Sequence, residues 1–380
     1  MKALKVHKNR NVDILIYDAE ASWTLEKSIP PGVITLRLET RRTINMVWSW
    51  GFIWRFVKHL LKERKFSTAR LFSLFDTLEC RVIITKSAIQ PHLGRYADIR
   101  PDCLVIAIQS ATRSSIGTKH RMKRAPVYYC FGPAEQDLFS ILEIPAKEIN
   151  CVGSYDMGVY LESKEVLKSQ GGRHYDLCFV SGYRPQLESA DLTKNESIVK
   201  VTHDLLLEMT VRLCRENGLS LLILGRIRHP ERDEVFPAES RYFEKYCEGV
   251  DFSLICSRKS KLSSYAGLFS AEVVIHIYST LGWEGLGVNK KVLFGGGINA
   301  QMMTMISMLY WEKFLPEEVV LRSADYVEFK QKTLSLLSMD ESDYQQKVSS
   351  AARYYMAQDA SRPPHQIIRE RVEFALQESR

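Results

Sequence analysis

No stretch of this 380-residue chain reaches the roughly 20 apolar residues that a membrane-spanning helix needs. Nor does the start resemble a secretory signal: Met1–Arg10 is basic, and the apolar run Val12–Tyr17 is too short for a signal core. The eight cysteines include no CxxC pair, and most lie in or beside apolar strand-like runs, the usage of reduced, buried thiols in a cytosolic protein. The GxxxxGK[ST] phosphate loop, the HExxH zinc helix and the GxSxG elbow are all missing. Gly295-Gly296-Gly297 does not spell GxGxxG and follows a late strand, which disfavours a nicotinamide oxidoreductase. No DxD-like acidic pair stands in a convincing loop, so no metal is expected, and no cofactor is expected either. Internal repeats and low-complexity segments are absent as well.

What the chain does have is the composition of a globular protein, 45% hydrophobic and 26% charged, in a length that suits two domains. The net charge of +7 is modest and its basic residues are scattered. That favours an anionic ligand or a membrane surface and argues against nucleic acid.

Short β-rich runs alternate with helix-like segments throughout, which implies parallel sheets. In the first half the strands fall at Val12–Tyr17, Thr35–Glu39, Arg81–Thr85, Cys103–Ile108, Pro126–Phe131 and Ile149–Val152. A helix over Pro133–Leu142 starts on its proline. The polar stretch Glu162–Arg173 reads as the domain boundary. Beyond it the strands are Leu177–Val180, Leu219–Leu224, Phe252–Cys256, Val273–Ile277 and Lys291–Phe294, and the helices Glu196–Asn217 and Arg241–Glu248 intervene. Glu341–Met356 and Pro364–Gln377 read as terminal helices. The expected architecture is α/β, with two Rossmann-like, doubly wound parallel-sheet domains facing a cleft. They span 1–160 and 161–360, and a terminal helix, 361–380, packs back on the first.

The chain is organised around Ser270–Gly297, which reads as strand, polar turn, short helix, strand and glycine loop. Ser279 or Thr280 can cap the helix, and Glu284 lies one turn further on. Hydroxyls, backbone N–H groups and a carboxylate at the carboxyl edge of a parallel sheet suit phosphates and sugars. Other strand ends in this half are polar too: Ser181-Gly182, and the Gly225-to-Pro230 run containing Arg226, Arg228 and His229. The bland readings are that Ser279 and Thr280 are ordinary caps, His229-Pro230 a turn, Glu284 a surface carboxylate and His276 a core histidine. In the first half, Gln109 and Ser110 end a strand and are candidates for the same cleft. Asp18, Asp98 and Glu135 are candidate general bases.

Two basic stretches stand apart. Asn45–Lys65 is aromatic, then basic, with helical spacing: either a helix packed on the sheet or a membrane-surface helix, with Trp48, Trp50 and Trp54 interfacial and Lys58, Lys62, Arg64 and Lys65 facing anionic lipid. Arg113–Arg124 has no acid and reads as an exposed loop or a phosphate contact.

DILIYDAEAS, FGPAEQDLF followed by CVGSYDMGVYLES, YDLCFVSGYR and STLGWEGLG resemble bacterial surface-carbohydrate biosynthesis proteins of lipopolysaccharide and capsule clusters. STLGWEGLGVNKKVLFGG more broadly resembles glycosyltransferases of the two-domain GT-B architecture. The resemblance, from about Asp13 to Gly297, implies a nucleotide-sugar donor on the C-terminal domain and a glycan or lipid-linked glycan acceptor on the N-terminal one. It assigns Ser279, Thr280 and Glu284 to the donor and His229-Pro230 to its phosphate. An HP pair beside a serine-rich turn is also similar to the cytidine-nucleotide site of transferases for ulosonic acids, which points to a CMP-linked donor. Retaining members of that group carry an acidic residue where this chain has Ser181-Gly182-Tyr183-Arg184, which disfavours a covalent carboxylate mechanism. The expectation is a cytoplasmic, metal-independent glycosyltransferase on the inner face of the membrane. The alternatives are a nucleotide-sugar 2-epimerase and a non-catalytic assembly subunit of the same fold.

Overall fold

The computed structural model describes residues 3–7, 11–18, 23–39, 43–86, 91–112, 122–168, 173–183, 192–225, 236–256, 262–302 and 314–378. The chain forms two compact units, Met1–Val159 with Gln358–Arg380, and Tyr160–Ala357.

In the first unit, β1 (Ala3–His7) pairs in parallel with β4 (Thr43–Val47) as a separate two-stranded sheet. The main sheet has six strands: β2 (Ile14–Tyr17), β3 (Thr35–Leu38), β5 (Val82–Thr85), β6 (Leu104–Ile108), β7 (Ala125–Cys130) and β8 (Ala146–Cys151). All pairs are parallel, in the order β3-β2-β5-β6-β7-β8. The four inner strands, β2, β5, β6 and β7, are near-continuous apolar runs because both their faces are covered, whereas the edge strands β3 and β8 carry polar residues. Alternation divides the side chains: Leu15 and Tyr17 join Phe72 and Phe75 in one core, whereas Ile14 and Ile16 join Tyr155, Val159, Ile368 and Val372 in another. The last two come from the C-terminal helix Pro364–Glu378, which therefore completes the second core of this unit.

Three helices follow in this unit, α1 (Trp50–Glu63), α2 (Phe66–Leu78) and α3 (Pro91–Ile99), and α1 packs on α2. The helix expected from Asn45 starts later, because Asn45–Val47 is taken up by pairing with β1. Ser49 caps its N-terminus by accepting from the Phe52 N–H at 3.1 Å. Next, α4 covers Pro133–Ile141, with its proline in the first turn as the sequence suggests. The first part of the polar stretch read as the domain boundary, Glu162–Lys168, belongs to α5 (Tyr155–Lys168). Ser154 accepts from the Met157 N–H, and Tyr155 and Val159 anchor the first turns in the core.

The second unit has a five-stranded parallel sheet of β9 (Tyr175–Val180), β10 (Leu221–Gly225), β11 (Phe252–Cys256), β12 (Ala271–His276) and β13 (Lys291–Phe294). Its order is β11-β10-β9-β12-β13, the doubly wound pattern in which strand order reverses beside the first strand. Between them run α6 (Lys194–Asn217), α7 (Phe236–Tyr246), α8 (Leu262–Phe269) and α9 (Thr280–Gly287). A Thr193–Glu196 capping box opens α6, and Gly218, at φ +64, closes it. The helices α10 (Tyr326–Ser338) and α11 (Glu341–Tyr355) follow. Trp283 of α9 is fully buried, its ring 4.5 Å from Phe294 and 4.7 Å from Tyr355 of α11.

Two of the three glycines after β13 serve packing. A Cβ on Gly295 would lie 2.5 Å from Leu206, and one on Gly297 would lie 2.1 Å from the carbonyl oxygen of Leu321. Backbone does not yield to such a contact. Gly297→Ala is therefore expected to lower unfolding stability by about 1–3 kcal/mol in urea titrations, and an unchanged midpoint would mean that the loop relaxes freely.

Candidate functional site

Where β12 leaves β9 on one side and β10 lies on the other, the connections that follow depart to opposite faces of the sheet. Ligands bind in the crevice so formed at the carboxyl ends. The residues at this edge are Ser181 and Gly182 after β9, Gly225 at the end of β10, His276 to Thr280 after β12, and Gly295 after β13.

His276 joins the strand end to the helix start. Its Nδ1 accepts from the Ser279 N–H at 3.1 Å, which puts the ring proton on Nε2. Its ring lies flat against Gly282, where a Cβ would come within 2.1 Å of Nε2, and edge-on to Phe294. Burial pulls its pKa down to about 3, so the imidazole is neutral at all ordinary pH. Nε2 has no hydrogen-bond partner among the described residues. Ser279 caps α9 by accepting from the Leu281 N–H, and Thr280 is the first helical residue. The helix N-terminus, with its positive dipole end, thus sits at the strand-order reversal.

Glu284 departs from the simple picture of a surface carboxylate. It is buried and accepts the Tyr265 hydroxyl of α8 at 2.8 Å. That bond occupies one oxygen and orients the group, and carboxylates have acceptor capacity for more than one donor.

Ser181 is buried. Its hydroxyl accepts from the Tyr183 N–H at 3.0 Å and lies 3.4 Å from Glu239 of α7. Gly182 brings the backbone against His203 of α6, leaving 3.3 Å between its would-be Cβ and the ring. His203 Nδ1 is 3.1 Å from the Tyr242 hydroxyl, and its buried Nε2 has no partner among the described residues. Beside it, burial would raise the Asp204 carboxyl, but hydrogen bonds with His203, Lys200 and Tyr242 outweigh that and hold it at about 2. This His203–Asp204–Tyr242 group was not anticipated. Its signal in the sequence is a polar pair set among the apolar positions of a long helix. Arg226, Arg228, His229 and Pro230 lie outside the described residues, though β10, which precedes them, ends on this edge.

In the first unit the sheet reverses order between β2 and β5. Asp18 follows β2 there, buried and in the left-handed region at φ +59, which aspartate tolerates better than most residues. Lys86 follows β5, buried and paired with Asp156, whose carboxylate also accepts the Thr24 hydroxyl at 2.7 Å. This pair too was missed, since its members are 70 residues apart. Gln109, expected to face a cleft, is buried in a bridge between strand ends: its Oε1 accepts from the Phe131 N–H at 2.8 Å and its Nε2 donates to Glu135 at 3.1 Å. Ser110 next to it is exposed. Glu135, fully buried, also accepts the Tyr128 hydroxyl. Asp98 is brought together with none of these. It forms an ion pair at 2.7 Å with Arg124, directly before the first residue of β7, and so lies at the amino ends of the strands. Among the described residues no cluster of three or more metal-ligating side chains occurs.

Residues 147–305 match a family model described as "putative O-antigen biosynthesis protein". No curated protein matches the sequence. Among solved structures, the wall teichoic acid polymerase TagF is similar over 97% of this chain and 89% of its own, at 9% identity and a TM-score of 0.53. The UDP-GlcNAc 2-epimerase from Neisseria meningitidis, bound to UDP-GlcNAc, is similar over the full length of both chains at 10% identity and a TM-score of 0.52. S. aureus MnaA, solved with UDP, covers 97% of this chain and 96% of its own at 11% identity and a TM-score of 0.53. The resemblance to surface-carbohydrate biosynthesis proteins with a GT-B-like fold, read from the sequence, is borne out.

The buried His276 makes the native state acid-sensitive in a defined window. Its folded pKa lies below the usual 6.5, so its contribution to stability is fully present above about 6.5 and falls as pH drops toward about 3. Wild-type protein should lose stability across that window, and His276→Gln should flatten that component in pH-dependent urea unfolding. Parallel curves for the two proteins would contradict the neutral buried imidazole.

Proposed function

We propose that this chain is a glycosyltransferase that moves a sugar from a nucleotide-sugar donor to a growing surface polysaccharide or its lipid-linked precursor, without a metal. The observation that carries the reading is the α9 N-terminus at the strand-order reversal of the second unit, with Ser279 as its cap and Glu284 one turn inside. The N–H groups and dipole of that helix end suit a donor phosphate, and Glu284 suits ribose hydroxyls. Arg226, Arg228 and His229, which follow β10, would add positive charge as the nucleotide departs. A CMP-linked ulosonic acid remains one candidate donor within this proposal. An inverting reaction needs a general base, and within this proposal that is Asp18, at the strand-order reversal of the first unit, since Asp98 is ion-paired at the other edge and the Glu135 carboxylate is engaged by Gln109 and Tyr128. Likeness to nucleotide-sugar enzymes over nearly the whole chain supports the reading.

A thermal-shift panel of UDP, GDP, CDP, CMP and TDP tests it, because a bound nucleotide raises apparent stability by mass action. One of them should raise Tm. Glu284→Ala should weaken that nucleotide about 10- to 100-fold, the worth of a lost charge-assisted hydrogen bond. Tyr265→Phe keeps the carboxylate and should weaken binding far less. Equal losses in the two variants would assign Glu284 to packing, and a panel without any shift would overturn donor binding altogether.

The full-length likeness to a 2-epimerase favours a second reading, isomerisation of one nucleotide sugar. Nuclear magnetic resonance of a nucleotide sugar incubated with the protein, without acceptor, separates the two. A change in sugar configuration would replace transfer by epimerisation.

A further inference from the structure

The exposed side of α1 is amphipathic in the inverted sense. Trp50, Trp54, Val57 and Leu61 follow at spacings of four, three and four residues, so they form one stripe along the helix. That stripe faces outward, with exposures of 87%, 73%, 44% and 78%. Trp48, in the turn before the helix, extends it at 75% exposed. The inward face carries Phe52 together with two polar residues, His59 and Glu63.

This orientation is held by polar contacts. His59 Nε2 lies 2.7 Å from Asp76 of α2, and Asp76 also accepts from Tyr96 and Arg100 at 2.9 Å each. Glu63 forms an ion pair with Arg95 of α3 at 2.8 Å. Rolling the helix to bury its tryptophans would break both pairs and lift Phe52 from the core. Single exposed apolar residues are ordinary, but a continuous stripe marks an interaction surface.

The charge beside the stripe selects the partner. Lys58 and Lys62 are exposed on one flank, Arg64 and Lys65 follow at the C-terminal end, and the helix's one acid is the buried Glu63. We infer that this side of α1 is a membrane-docking face, whose partner is a bilayer surface bearing anionic headgroups. Indole rings seat at the headgroup level and lysines on the flank meet the lipid charge. A second copy docked through the same face would bring like charges together. At 14 residues the helix is about 21 Å long, shorter than the roughly 30 Å hydrocarbon core, so it lies on the bilayer. The inference does not depend on the glycosyl-transfer reading, and its test uses no nucleotide or acceptor.

The test is co-sedimentation of the full chain with vesicles of phosphatidylcholine alone and of phosphatidylcholine mixed with phosphatidylglycerol. The protein should partition onto the anionic vesicles, with a blue shift in tryptophan fluorescence, and high salt should weaken the binding. Lys58→Ala and Lys62→Ala should each reduce partitioning about fivefold. Trp50→Ala combined with Trp54→Ala should abolish it while leaving the thermal melt unchanged, because these side chains take no part in the core. Absence of binding to both vesicles, or equal binding to neutral ones, would overturn the inference. So would a lipid-free dimer that the double variant dissociates.

Discussion

The parallel pairing of β12 against β9, with β10 on the other flank, is the constraint from which the second unit's site follows. Every backbone N–H and C=O in a buried sheet needs a partner, so a strand cannot be moved aside without stranding a row of them. Alternating side chains add a second restriction, because a slip of one residue would exchange the two faces of a sheet covered on both sides. Once β12 is seated there, its end must deliver His276, the turn and α9 to the reversal of strand order. The first unit obeys the same rule at β2, between β3 and β5, and so places Asp18 and Lys86 at its own reversal.

Polar groups enclosed in the structure tie separate elements together. His276 accepts from the turn while its ring fits over Gly282, so strand, turn and helix are coupled through one neutral imidazole. Lys86 and Asp156, or His59 and Asp76, link elements distant in sequence. Breaking one partner of such a pair would leave the other buried and uncompensated, a heavier loss than the net worth of the contact. The same economy explains why α1 keeps polar residues inside and apolar ones outside: its orientation is set by partners on α2 and α3.

Much of the fold was legible in the chain. Fully buried parallel strands read as short apolar runs, and each of Phe252–Cys256 and Lys291–Phe294 coincides with an observed strand. Ser279 announced the start of α9 through the chemistry of its hydroxyl. Less legible were the start of α1, displaced by a strand pairing with Ala3–His7, and the later turns of α5, whose polar residues read as the domain boundary. Gly295 to Gly297 read as a glycine loop at the sheet edge, and two of these glycines answer to neighbours more than 20 residues away, Leu206 and Leu321. Gln109 was read as a candidate for the cleft, and its amide joins strand ends.

Local patterns of apolar spacing and capping determined the α/β class, the succession of elements and the polar character of the strand ends. Those properties depend on residues within a few positions of one another. Which strand ends meet, that Glu284 faces Tyr265, that Asp98 lies at the opposite edge from Asp18, and which side of α1 faces solvent were decided only by tertiary structure. Strand order and helix roll arise from pairings between distant segments, and such pairings are satisfied by generic apolar or charged residues that carry no mark of their eventual partner.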